Sequence, residues 1–330
     1  MIRRVSCISL VCALVFGCSK PAPMETEKAP ATAENRGTLP LRIGFQKAGS
    51  PFLLKSKDAG LSQALSTHGA RLEWVEFQTG PALLEAIRAG AVDIGYVGET
   101  PPVFAQSGGV PFVYIATDPP SPRSEAIIVP KDSPIRELRQ LRGKKIALNR
   151  GSNVHYLVLR ALEHAGLALS DVQLTFLAPA DARTAFDSGR VDAWVIWDPF
   201  LAAAEIAGAR ILKDGEGLVD NHQFYVARKD FAAQHAALVR VVLAAFADSS
   251  DWAVHNPEEA ARLTAASSGI EYDALLATEK RHAYGLRPIT EEILSKQQAI
   301  ADAFVKLQVI PNAIQTRDAY LTDAGFVSKQ

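Results

Sequence analysis

The stretches "AIRAGAVDIGYVGETPP" (residues 86–102) and "AFDSGRVDAWVIWDPF" (185–200) carry the same features in the same order. Each runs from a helix-like end through a glycine (Gly90, Gly189) and a Val-Asp pair (Val92-Asp93, Val191-Asp192) into an apolar run. An acidic residue and a proline then follow. Glycine suits the left-handed position that closes a helix, and proline suits the first turn of the next one. The repeat therefore predicts two similar α/β lobes in one chain.

The flanking sequence extends this pattern. "LRIGFQ" reads as a strand, "PFLLKSKDAGLSQALSTHG" as one helix closed by Gly69, and "RLEWVEFQ" as a strand. "GPALLEAIRAG" is a helix ending at Gly90, and "VDIGYVG" is a strand. Strands alternating with helices argue for doubly wound, mainly parallel sheets. A second echo, "SEAIIVPKD" (124–132) against "HQFYVARKD" (222–230), marks two strands that carry the chain between lobes. One lobe is then 39–123 with 228–330, the other is 128–222, and a hinge lies near 124–127 and 223–227. The segment from Ala237 onward has helical spacing and is expected to pack on the first lobe.

The N-terminus is a targeting segment. Arg3 and Arg4 precede an apolar run from Val5 to Phe16, too short to span a bilayer comfortably. Residues 1–17 read as a signal peptide, and Gly17-Cys18 resembles a lipobox in which Cys18 is lipidated. The alternative is an ordinary cleaved signal peptide with an incidental cysteine. Residues 18–38, rich in Pro, Ala, Glu and Thr, read as a disordered tether.

Cys7, Cys12 and Cys18 are the only cysteines, so the folded body has no disulfide and no Cys-based metal site. The formal charge of −1 becomes about −3 once Arg3 and Arg4 leave with the leader, and no basic block stands out. Nucleic-acid binding is excluded on that ground. There is no Gly-x-Ser-x-Gly elbow, no His-Glu-x-x-His and no Gly-x-Gly-x-x-Gly, so neither an enzyme nor a metal or cofactor site is expected.

Ligands of open α/β sheets sit beyond the carboxyl ends of the strands. That brings four junctions together: Gln46 to Ser50, Gly98–Glu99–Thr100, Gly151–Ser152–Asn153, and Trp197–Asp198. Ser50, Thr100 and Asp198 each precede a proline, as helix caps do. At Gly151–Asn153 the free N–H groups of a helix start can cradle an anion. Hydroxyl and amide donors there suit a tetrahedral oxyanion without placing a full positive charge beside it. Simple capping is the bland reading of each junction.

Several long blocks, including "VGETPPVFAQSGG", "PPSPRSEAIIVPKDSPI", "LRGKKIALNRGSNVHYLVLRALEHAGL" and "VDNHQFYVARKDF", closely resemble the aliphatic sulfonate-binding proteins of bacterial ABC importers. The resemblance covers roughly residues 40 to 325. It implies a two-lobed type II periplasmic-binding-protein fold and delivery of a small sulfonate to an ABC permease by a monomeric receptor, with no cofactor. Membrane contact is then only through the lipid anchor. Taurine, nitrate or a related small anion is the alternative ligand.

On that resemblance, Ser152, Asn153, Thr100 and the Gly98–Glu99 backbone contact the anion, with Gln46 and Ser124 as further donors. Gly151 permits the close approach, and Trp197 offers a flat surface to the tail. Glu99 and Asp198 either turn away as caps or meet a cationic group on a zwitterionic sulfonate; the first is preferred. Trp194 and His155 are expected to be packed in the core, and His222 to face the hinge.

Overall fold

The computed structural model describes residues 38–57 and 60–321. The signal peptide, Cys18 and the tether up to residue 37 lie outside the described residues. The first sheet holds β1 (Leu39–Phe45), β2 (Ala70–Glu76), β3 (Ile94–Gly98), β4 (Phe112–Thr117) and β10 (Gln223–Arg228), in the order β2-β1-β3-β10-β4. The second holds β5 (Glu125–Val129), β6 (Lys145–Leu148), β7 (Gln173–Phe176), β8 (Ala193–Trp197) and β9 (Arg210–Asp214), in the order β7-β6-β8-β5-β9. The two orders are equivalent. Each sheet has one antiparallel strand in fourth place, β10 or β5, and the other recorded pairings are parallel.

The helices in chain order are α1 (Gly49–Lys57), α2 (Leu61–Ser66), α3 (Gly80–Arg88), α4 (Thr100–Ser107), α5 (Asn153–His164), α6 (Pro179–Asp187) and α7 (Phe200–Ile206). After β10 come α8 (Lys229–Gln234), α9 (Ala236–His255), α10 (Pro257–Ser268), α11 (Tyr272–Arg281) and α12 (Glu291–Lys306). Helices cover both faces of each sheet. Leu41, Ile43 and Tyr225 pack toward α9 through Val239, Val242 and Phe246, while Val97 and Val226 pack toward Leu83 and Ile87 of α3. In the second sheet, Ile127, Val195 and Leu148 meet Val154 and Val158 of α5; Ile128 and Trp194 meet Phe186 of α6. Among the described residues no helix is long and apolar enough to cross a membrane.

The repeat explains why these elements form twice. Gly90 and Gly189 close α3 and α6 with φ of 70° and 68°, the left-handed region that glycine enters at no steric cost. Val92 and Val191 are then buried as the chain turns toward β3 and β8. Asp93 donates its N–H to the Arg42 carbonyl and its carboxylate accepts the Arg42 N–H, each at 2.9 Å. Asp192 makes the same exchange with Lys145, at 2.8 Å both ways. The conserved order of residue types thus sets strand register by one device in both lobes. Asp93 is also bound by the guanidinium groups of Arg42 and Arg228, at 2.9 and 3.1 Å, which fastens the end of β10 to the same corner.

Three expectations shift. The single helix over 51–69 is two, because Gly60 takes φ of 75° ahead of α2 and interrupts the run. Thr100 is the first residue of α4, after Glu99, and Pro199 rather than Asp198 stands at the start of α7. The chain passes between sheets through 118–124 and 215–222, whereas residues 124–127 and 223–227 fall largely within β5 and β10. The segments that join the two sheets lie just before these strands. These two crossings are bonded to each other: Ser121 donates its N–H to the Asp220 carbonyl at 3.0 Å, and Asn221 Nδ2 donates to the Ser121 carbonyl at 2.8 Å.

Candidate functional site

Between the sheets, at the carboxyl ends of their strands, lies a cleft. Its walls include Gln46, Gly98, Ser124, Ser152, Asn153, Trp197 and Asp198 from the junctions singled out above. Tyr96, Asn221, Gln223, Thr278 and His282 complete much of the rest. Its volume is about 70 Å³, and one water needs about 10–15 Å³ by the same measure. That is room for a tetrahedral head group and one or two further atoms. No lysine or arginine is among the described residues lining it.

Local structure explains which groups point inward. Helix α5 begins at Ser152–Asn153 with no side-chain cap; the His155 N–H turns back to the Ser152 carbonyl at 2.9 Å, and the N–H groups of Asn153 and Val154 are left for another acceptor. Ser152 Oγ donates instead to the Asn149 carbonyl at 2.8 Å. Ser124 ends a short 3-10 turn, and its carbonyl accepts the Asp198 N–H at 2.9 Å. Its hydroxyl is buried with no hydrogen-bond partner. A buried hydroxyl without a partner costs about 1–3 kcal/mol, so Ser124 Oγ is a donor waiting for an acceptor.

Asn153 has a second duty. Its Oδ1 accepts the Thr100 N–H at 3.1 Å, and its Nδ2 donates to Asn221 Oδ1. The amide thereby ties α5 of one lobe to α4 of the other and to the return crossing. One hydrogen of the Asn153 amide is used on Asn221, which leaves a second. Gly98 makes this seat possible: a Cβ there would lie 2.1 Å from Asn153 Oδ1.

The floor is a buried polar network. Tyr96 and Tyr225 donate their hydroxyls to the two oxygens of Asp118, at 2.7 and 3.0 Å. His282 Nε2 lies 3.5 Å from Asp118 Oδ2. Burial, then the Asp118 charge, push both tyrosines well above their ordinary range. Ser50 belongs here, hydrogen-bonded to the Tyr225 hydroxyl, so it serves the floor and not the cleft.

Asp198 is on the wall but already occupied. Arg281 Nη1 lies 3.2 Å from its Oδ1, the Ala202 N–H donates to the same oxygen at 3.0 Å, and Arg281 also binds Glu205. Burial pushes the Asp198 carboxyl up to about 7, against the pull of Arg281 and of the Ala202 N–H. Because α11 packs on α7, this pair is a second tie across the cleft.

Glu99, Thr100 and Gly151 do not line the cleft. Glu99 turns to the far side, where its Oε2 accepts the His222 N–H at 2.8 Å, beside a separate cavity lined by Tyr156, Asp220 and Lys296. Burial raises its carboxyl to about 8. Thr100 contributes its N–H to Asn153. Gly151, with φ of 74°, faces the Phe104 ring, and its N–H donates to His155 Nδ1 at 3.3 Å. His155 is packed among Phe104, Phe176 and Phe304, and burial followed by the Arg150 charge lowers it to about 4. Trp194 is buried in the core, and His222 sits by the crossings with Nδ1 at 3.1 Å from the Asp118 carbonyl.

Sequence reasoning did not select Tyr96, Asn221, Gln223, Thr278, Arg281 or His282. Asn221 had a signal, standing in "VDNHQF" where a left-handed turn (φ 53°) joins crossing to strand.

The family model described as NMT1/THI5 like matches residues 66–260. Over 292 residues the chain is 37% identical to the aliphatic sulfonates-binding protein of Escherichia coli (strain K12), covering 88% of this chain and 91% of that one. It superposes with a TM-score of 0.81 at 34% identity on the alkanesulfonate-binding protein SsuA from Xanthomonas axonopodis pv. citri bound to MOPS, covering 86% and 98% of the two chains. The periplasmic aliphatic sulphonate binding protein SsuA from Escherichia coli gives 0.79 at 36% identity, covering 88% and 94%. The two-lobed periplasmic-binding-protein architecture is therefore shared across nearly the whole body.

Proposed function

Because this chain belongs to the NMT1/THI5-like family and to its aliphatic sulfonate-binding proteins, we propose that it is a solute receptor for an ABC importer. It captures aliphatic sulfonates in the cleft between its lobes and delivers them to the permease as a source of sulfur. The observation that carries this reading is that one cleft is lined by Ser124, whose hydroxyl has no partner, and by the uncapped start of α5 at Ser152–Asn153. These are uncharged donors, supplied by a crossing segment and a helix terminus, around a space the size of a sulfonate head. A helix N-terminus favours negative charge by about 0.3–1 kcal/mol when exposed and up to about 2 when enclosed.

The bound anion completes hydrogen bonds that only the closed arrangement brings together, so it shifts the lobes toward closure. Closure turns on 118–124 and 215–222. Taurine is a weaker fit, because the carboxylate that would meet its ammonium, Asp198, is held by Arg281. A receptor role without catalysis accords with the cleft serines: Ser124 Oγ has no partner and Ser152 Oγ is bound to a backbone carbonyl, so neither is paired with a base.

A thermal-shift panel of ethanesulfonate, taurine, sulfate and nitrate tests the reading. Ethanesulfonate is expected to give the largest rise; sulfate or nitrate doing so refutes it. The receptor works as a monomer on the periplasmic side of a bacterial membrane, anchored by lipid on Cys18 through the tether. Cys18→Ala is expected to move the protein from the membrane fraction to the soluble one, and retention at the membrane contradicts the anchor.

A further inference from the structure

The cavity beside Glu99, of about 290 Å³, shares no lining residue with the head-group cleft. Both lobes and a crossing build it: Tyr156 comes from α5, Lys296 and Ile300 from α12, and Asp220 from the return crossing. Glu99 is 2% exposed; its Oε2 accepts the His222 N–H at 2.8 Å, while its Oε1 is buried with no hydrogen-bond partner. The carboxyl feels the charges of Asp220 and Lys296, both on the cavity wall, so the free oxygen belongs to this cavity. Lys296 does not pair it, being bound to Asp220 at 3.0 Å and to Glu292 at 2.9 Å. A buried carboxylate without a counter-charge is costly, and burial accordingly raises Glu99 to about 8. Burial, then the Glu99 charge, push up Glu125 as well, whose two oxygens are buried without partners.

What Glu99 lacks is a donor that carries positive charge. A hard metal cation asks for about six or more oxygen ligands, and among the described residues no cluster of His, Cys, Asp and Glu could hold one. An ammonium group asks for three acceptors, and three acceptor groups line the cavity: Glu99 Oε1, the Asp220 carboxylate and the Tyr156 hydroxyl. The rest of the wall is largely apolar, with Leu218, Val219, Ala299 and Ile300, and the space takes on the order of twenty water-sized groups. We propose that this cavity binds a small primary alkylamine as its ammonium cation, the nitrogen held by Glu99, Asp220 and Tyr156 and the carbon chain lying on Val219 and Ile300.

The site is placed to act on the cleft. Glu99 stands between Gly98, which seats the Asn153 amide, and Thr100, whose N–H that amide accepts. Asp220 leads into Asn221, which binds Asn153 from the other side. A cation bridging α5, α12 and this crossing favours the same arrangement of the lobes as a ligand in the cleft, so each ligand tightens the other. That coupling rests on the sulfonate-receptor reading of the cleft; the amine site itself does not.

The test is calorimetry on the purified full chain with butylammonium chloride, against tetramethylammonium chloride, potassium chloride and butanol. Butylammonium is expected to bind and the other three to give no heat of binding. Near neutral pH its binding is expected to release a proton, because Glu99 ionises against the cation; the measured enthalpy then changes with the buffer. Asp220, Lys296, Tyr156, His222 and Glu125 are the other titratable groups around that carboxyl. Glu99→Gln is expected to abolish the proton release and weaken the amine at least about tenfold, the scale of a hydrogen bond between charged groups. Ala299→Lys, which puts a second cation on the wall from an exposed helix position, is expected to weaken it as well. Ethanesulfonate is expected to bind at least about fivefold more tightly with the amine present. No binding of butylammonium, equal binding of potassium, tetramethylammonium or butanol, or undiminished binding in Glu99→Gln overturns the site. Amine binding without any effect on sulfonate affinity overturns the coupling, and amine binding in a chain that takes no sulfonate overturns the receptor reading while the site stands.

Discussion

Gly98→Ala isolates the tie between the lobes. Gly98 is not among the glycines with positive φ, so alanine fits the β3 backbone without strain. The added Cβ, however, would lie 2.1 Å from Asn153 Oδ1 and 2.3 Å from its Nδ2, where contact begins near about 3.5 Å. The amide must leave its seat, or the lobes must part by more than about 1 Å on the same contact distance. Either way the bonds to the Thr100 N–H and Asn221 Oδ1 are lost. Gln223 Nε2 still reaches Asn221 Oδ1 at 3.1 Å, so the Thr100 N–H is the group left stranded. At about 0.5–1.5 kcal/mol per net hydrogen bond and about 1–3 for a stranded donor, the closed form loses about 2–3 kcal/mol. In calorimetry with a sulfonate this is roughly a 30- to 150-fold rise in Kd, with little change in the melting temperature of the ligand-free protein. Asn153→Ala is expected to weaken binding by at least about 1 kcal/mol, and Gly98→Ala added to it by nothing more, because the clash is gone. Wild-type affinity in Gly98→Ala, or additive losses in the double variant, would refute the reasoning.

Ser124→Ala removes a hydroxyl that has no protein partner; ligand-free stability is expected to hold or rise, while sulfonate affinity falls about tenfold, the scale of a hydrogen bond to a charged group. A loss of ligand-free stability with unchanged affinity would count against the assignment. Burial raises Asp198 to about 7 and Glu99 to about 8, so the folded protein holds protons that the unfolded chain has released above about pH 4. Stability from these groups is present at low pH and is lost as pH rises toward 8, and denaturant melts are expected to show that slope. Ionised Asp198 also adds a negative charge to the cleft wall, and sulfonate affinity is expected to fall severalfold from pH 6 to 8, about 1 kcal/mol at an effective dielectric near 20 and 10 Å or more; a rise in affinity over that range contradicts the arrangement.

Much of this was legible because short-range residue order fixes it. Gly90, Gly189 and the two Val-Asp pairs announce helix closure and strand entry locally, and the carboxyl ends of the strands must then converge. Hence Gln46, Gly98, Ser124, Ser152, Asn153, Trp197 and Asp198 line one cleft. Thr278, Arg281 and His282 were not, since they reach the cleft from a C-terminal helix whose local sequence says only that it is amphipathic. The direction of Glu99 was also open: the motif places it at a helix start, but its rotation toward His222 depends on a crossing segment more than a hundred residues on. Gly60 breaks a helix that apolar spacing alone runs straight through.

The most direct measurement is a crystal structure with 2-bromoethanesulfonate, locating the bromine by its anomalous signal. The predicted result puts the sulfonate oxygens within hydrogen-bond distance of Ser124 Oγ and the start of α5 at Ser152–Asn153, with the bromine directed past Trp197. Bromine density outside the space between the lobes, or a sulfonate held by a lysine or arginine elsewhere on the surface, would contradict it.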